Sequence, residues 1–148
     1  MVKLHSFPSR MVDARKKSLK RIGMAAVRLV NDNVRARGGI IGIPIAPNAA
    51  ATVSRKGSDN PLEQSGAMLA SVNWKWMGAF SIEVAAWGNQ YLASIHDSMV
   101  TKFVGHGNQV ELPGRPFLGA ALRSAVMREK SRKIGEDELR KLAKELES

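Results

Sequence analysis

The stretch that most constrains this chain lies near its C-terminal end, Leu112-Pro113-Gly114-Arg115-Pro116-Phe117-Leu118-Gly119. Pro113 and Pro116 fix φ and withhold two backbone donors, so neither belongs in a central strand or a helix interior. Arg115 precedes a proline and is pushed towards extended geometry. Pro116 suits the first position of a following helix. Phe117 and Leu118 offer apolar anchors where that helix begins, followed by Ala120, Ala121, Leu122, Ala125 and Val126. By itself the stretch reads as a rigid connector that locks a C-terminal helix against whatever precedes it.

The elements it must join are legible from periodicity. Residues 1–10 read as a flexible arm. From about Met11 to Arg37, Leu19, Ile22, Ala26, Leu29 and Val30 recur at helical spacing and make one apolar stripe. Lys17, Lys20, Arg21, Arg28 and Arg35 lie on the opposite side, and Gly38-Gly39 supplies a stop. Residues 39–59 read as a long loop that finds a partner surface; Pro44 and Pro47 allow no more than a short edge strand over Ile40–Ile45. A second helix is expected from Asn60, which caps it, through Pro61 and Glu63 to about Ala70.

Val72, Trp74 and Trp76 alternate with polar neighbours. So do Phe80, Ile82, Val84 and Ala86, with Gly78 at the turn between the two runs. This predicts an antiparallel hairpin with both tryptophans on its core face. Gly88-Asn89 is a second turn, and Tyr91–His96 is a short element of either type. Residues 97–111 read as a flexible loop around Gly105-His106-Gly107-Asn108. A helix over about Phe117–Lys133 is interrupted at Gly135, and a last one runs from Glu136 to Glu147. Glu136–Arg140 and Asp137–Lys141 should pair on its exposed face. The fold class is α+β, a small antiparallel sheet packed by a long N-terminal helix and C-terminal helices, in one domain over 1–148.

Charge is uneven. Of the 23 Lys and Arg against 13 Asp and Glu, ten and two fall in residues 1–37. The net charge of +10 therefore belongs mostly to the first helix, which suits either a solvated face or contact with nucleic acid or an acidic surface. That helix carries no aromatic interleaving, which argues against a single-strand stacking platform.

The absence of cysteine excludes a disulfide scaffold, a thiolate zinc site and a cysteine nucleophile. No apolar run reaches membrane-spanning length and the N-terminus lacks the apolar core of a signal peptide, so a reducing cytosol, or a particle assembled there, is expected. His5, His96 and His106 have no third ligand at metal spacing, and His96-Asp97 stands alone as an acid–base pair. No nucleophile elbow or phosphate-cradling glycine loop occurs. The expectation is a non-enzyme with no cofactor, no metal and no catalytic residues.

Three pieces in fixed order matter together: Ser65-Gly66-Ala67-Met68-Leu69-Ala70-Ser71-Val72, Tyr91-Leu92-Ala93-Ser94-Ile95-His96, and Pro113-Gly114-Arg115-Pro116-Phe117-Leu118-Gly119. They resemble the virion-morphogenesis family of tailed phages, the neck, tail-completion and minor tail proteins of lambda-like and Mu-like phages. The likeness covers about residues 11–147. Ser65, Gly66, Ser71 and Val72 match the family's first segment, Tyr91, Ile95 and His96 its second, and Arg115, Pro116, Phe117 and Leu118 its most specific third. Met68 stands where the family prefers Leu, Met99 where it has Gly, and loop 39–59 is longer than usual.

The resemblance implies a virion subunit of the neck or head-proximal tail, assembled in the host cytoplasm. It implies a homo-oligomeric, hexameric ring between head-closure or connector proteins and the tail terminator or tail tube, with no membrane partner. Lys17, Lys20, Arg21 and Arg28 would then face packaged DNA non-specifically in a lumen. The alternative is a small basic cytosolic nucleic-acid-binding module that uses the first helix on phosphates.

Overall fold

Helix α1, Phe7–Arg35, is the spine of the computed structural model, which describes residues 7–48, 50–57, 59, 66–89, 93, 97, 100–105, 108–113 and 115–147. The helix starts earlier than periodicity suggests. Pro8 sits in its first turn, where no backbone donor is needed, so residues 7–10 of the expected arm are helical. Ala26, Leu29, Val30 and Val34 are buried on one side, and the stripe read from the sequence is the packing face.

The end of α1 is a Schellman turn. Gly38 N–H donates to the Asn33 carbonyl at 2.8 Å and Arg37 N–H to that of Val34 at 2.9 Å. Arg37, not a glycine, takes the left-handed position at φ 50°. Gly38 follows at φ +86°, and a Cβ there would lie 1.8 Å from the Ile43 carbonyl oxygen. The chain then doubles back: Ile45 N–H reaches the Arg37 carbonyl at 3.0 Å, and the Ile45 side chain enters the core. Loop 39–59 is therefore not a bare loop. It anchors one isoleucine inside its own chain and contains a short helix, α2, Ala50–Lys56. No strand forms over Ile40–Ile45.

Helix α3 is only Ala67–Ala70. Gly66 before it has φ +67°, which no α-helix accommodates, so a continuous helix to Ala70 does not form. The expected cap at Asn60, Pro61 and Glu63 lies outside the described residues. The hairpin follows as read: β1, Val72–Gly78, pairs antiparallel with β2, Ser81–Ala86. Val72 faces Ala86, Trp74 faces Val84 and Trp76 faces Ile82; the register then slips between Trp76 and Gly78. Trp74 is half-buried against α1, where its ring carbons come within 2.7 Å of the place a Gly23 Cβ would occupy. Trp76 is 44% exposed, against expectation; its ring meets that of Trp74 edge to face, with ring centres 5.7 Å apart, and does not enter the core.

Residues 97–111 hold a second ribbon where a loop was expected. Strand β3, Val100–Gly105, pairs with β4, Asn108–Pro113, with Gly105 opposite Asn108. Pro113 ends β4, a tolerable place in a two-stranded ribbon. Helix α4 is Leu118–Arg123, so it opens two residues beyond Pro116. Ser124 breaks it with ψ 156°, and its Oγ accepts Met127 N–H at 3.1 Å to start α5, Ala125–Glu147. The expected break at Gly135 does not occur, since one glycine costs a helix only about 1 kcal/mol. Phe117, Ala121 and Met127 join the α1 stripe, Leu69, Val72, Ala86, Ala93 and Ile45 in one core.

Candidate functional site

The connector is a three-way junction. Phe117 is fully buried. The Arg115 guanidinium is also buried and donates from Nε to the Ala46 carbonyl at 3.0 Å, and from Nη2 to the Pro47 carbonyl at 3.1 Å and Asn48 Oδ1 at 3.4 Å. Burial pulls its pKa below the ordinary arginine value. One side of the junction is thus the loop after α1. The other is Asp97, whose Oδ1 accepts the backbone N–H of Phe117 at 2.9 Å and of Leu118 at 2.8 Å, while Oδ2 accepts that of Gly119 at 3.0 Å. These are orphan donors at the start of α4, and a carboxylate there also meets the positive end of the helix. No local sequence signal marks Asp97, since a capping residue normally stands next to its helix.

Of the other motif residues, Val72 is buried, and Ser71 donates its hydroxyl to the Met68 carbonyl at 2.6 Å. Ser71 and Val72 hold the entry to β1, and Pro116 is half-buried beside Arg115. Ser65, Tyr91, Ile95 and His96 lie outside the described residues, as do His5 and His106. Among the described residues no cluster of His, Asp and Glu fits a metal ion.

The four proposed DNA-facing cations divide. Lys17, Lys20 and Arg28 are exposed. Arg21 is not free: its Nη1 donates to Asp137 Oδ2 at 2.6 Å and to Glu138 Oε1. Lys141 Nζ joins them, 3.2 Å from Asp137 and 3.1 Å from Glu138. The Asp137–Lys141 pair expected from four-residue spacing forms, as part of a clamp between α1 and α5. Glu136 pairs with Arg132 within α5.

Two surface features stand out. The first is apolar. Trp76, Met77 and Phe80 are exposed at the tip of the β1–β2 ribbon, with the Arg15 guanidinium 4.6 Å from the Phe80 ring centre. Arg15 also borders a trough of about 280 Å³ between α1 and α5, lined by Met11, Leu19 and Leu139. Met11 and Leu139 are themselves exposed. The second is a groove of about 560 Å³, in which Met24, Val27, Arg28 and Arg35 of α1 face Asn73 and Trp74 of β1. Helix periodicity could not reveal it, because its aromatic member arrives from another element.

No protein-family model matches the chain, and neither the curated proteins nor the solved structures searched contain a significant match to it.

Proposed function

We propose that the chain is a structural subunit of a neck or tail-completion ring in a phage or phage-like particle, a building block rather than a catalyst. The observation that supports this reading is the apolar surface formed by Trp76, Met77 and Phe80 and, past Arg15, by Met11 and Leu139. Such side chains in one neighbourhood are what a repeated protein–protein contact buries. The resemblance of the Arg115-Pro116-Phe117-Leu118 segment to the virion-morphogenesis family gives the contact its setting. Head-side and tail-side proteins are the partners of the ring, and Lys17, Lys20 and Arg28 are the cations for passing DNA.

Light scattering and particle reconstitution test the reading. The purified chain should assemble with increasing concentration towards a closed hexamer of 16.1 kDa subunits. Met77→Glu and Leu139→Glu should keep it monomeric and stop heads joining tails. A chain that stays monomeric, in particles indifferent to both substitutions, would overturn it.

A further inference from the structure

We propose that the groove between α1 and β1 binds single-stranded nucleic acid, with an unpaired base against Trp74 and Met24 and the flanking phosphates on Arg28 and Arg35. This goes beyond the ring reading and is tested on the isolated chain, so either can fail alone. Three properties of the groove carry it. It has an apolar, partly aromatic wall, Trp74 with Met24 and Val27, of the kind on which bases stack whatever their identity. It is rich in donors: Asn73 Oδ1 is already taken by the Trp74 N–H at 2.8 Å, which leaves the Asn73 amide nitrogen and the guanidinium groups to meet acceptors. It also continues the exposed line of Lys17, Lys20 and Arg28, which offers a backbone several successive phosphate contacts.

One carboxylate, Asp32, lies in the groove. Arg35 Nη1 stands 3.7 Å from it in an exposed pair, too long and too wet to hold the guanidinium against a phosphate. The basic N-terminal segment of a second copy is a poor occupant, since it would set Lys and Arg against Arg28 and Arg35. A duplex is poor too, because its bases are stacked inside and only the outer cations would meet it. An acidic peptide satisfies the charge but brings no stacking face.

The experiment uses the full chain, a labelled oligo-dT of about twelve nucleotides, a duplex of equal length and poly-glutamate as competitor. Oligo-dT should bind at least about tenfold tighter than duplex, and Arg28→Glu and Met24→Glu should each cost about tenfold or more. Lys130→Glu, the same charge change as Arg28→Glu but at an exposed site on α5, should cost less than about threefold. With Trp76→Phe and Trp87→Phe leaving Trp74 as the sole tryptophan, saturation should quench emission; this readout does not depend on groove variants folding. Equal affinity for duplex, displacement by poly-glutamate at matched charge, equal losses in all three charge variants, or unchanged emission would each overturn the proposal.

Discussion

Arg21 and Glu138 form an ion pair across 117 positions of the chain, the carboxylate buried and the guanidinium half-exposed. The same Nη1 holds Asp137 at 2.6 Å, so one α1 side chain clamps the middle of α5. Removing Arg21 would leave a buried carboxylate with Lys141 alone. Arg21→Ala should therefore cost about 1–3 kcal/mol in urea unfolding. The double change Arg21→Met with Glu138→Met should recover most of that, because an apolar pair spares both desolvation costs. Arg132 pairs with as many carboxylates, Glu129 and Glu136, but all three groups are exposed and within one helix. Arg132→Ala should cost much less than Arg21→Ala in the same unfolding experiment.

The clamp should also set the acid limit of the fold. For Glu138, burial pushes the pKa up, but hydrogen bonds from Arg21 and Lys141 outweigh it and hold it below the ordinary 4.5. Hydrogen bonds from Arg21 and Lys141 hold Asp137 below its ordinary 3.8. Both carboxyls thus bind protons more weakly folded than unfolded. Their stabilisation is complete above those ordinary values and is lost as pH falls through the depressed ones. Thermal melts should fall below about pH 4.5 and more gently in the double-methionine variant. Glu129, held at about 2 mainly by the Arg132 hydrogen bond, titrates low in both proteins and leaves some slope in the variant.

Asp97 is the test of the junction. Asp97→Ala strips the acceptor from three backbone N–H groups at the start of α4 and should cost about 1–2 kcal/mol. Asp97→Asn keeps one oxygen acceptor and should cost less. Amide hydrogen exchange at Phe117, Leu118 and Gly119 should quicken in the alanine variant before it does in α1. Equal protection there would mean that Asp97 does not hold the helix start.

Gly38→Ala should be far worse than its size suggests. The new methyl group would meet backbone, the Ile43 carbonyl at 1.8 Å, and φ is +86°. Neither can relax without breaking the turn, so a loss of about 3 kcal/mol or more is expected in equilibrium unfolding. Gly135→Ala, inside α5 with open space around it, should instead stabilise by about 0.5–1 kcal/mol.

Periodicity made α1, the β1–β2 ribbon and the α+β class legible, because buried faces of long elements leave a repeating mark. Helix breaks were read poorly. Gly135 looked like a stop, yet α5 passes through it, while the true break at Ser124 depends on a hydroxyl accepting Met127 N–H. Tertiary partners left least trace. Arg21 reads as one more cation on a basic face until α5 lies beside it, and Asp97 and Trp74 act on elements about 20 and 50 residues away. Residues 97–111 looked loose because a glycine such as Gly105 marks the end of a strand as well as it marks a loop.

The spine has a consequence for synthesis. α1 is made before α5, and its clamp to Asp137 and Glu138 needs residues made more than a hundred positions later. At typical elongation rates the clamp waits on the order of ten seconds, and the apolar stripe waits on the order of seconds for Val72 and Ala86, which cover it. The exposed stripe makes that interval the stage at which a holding chaperone should raise the yield of folded chain.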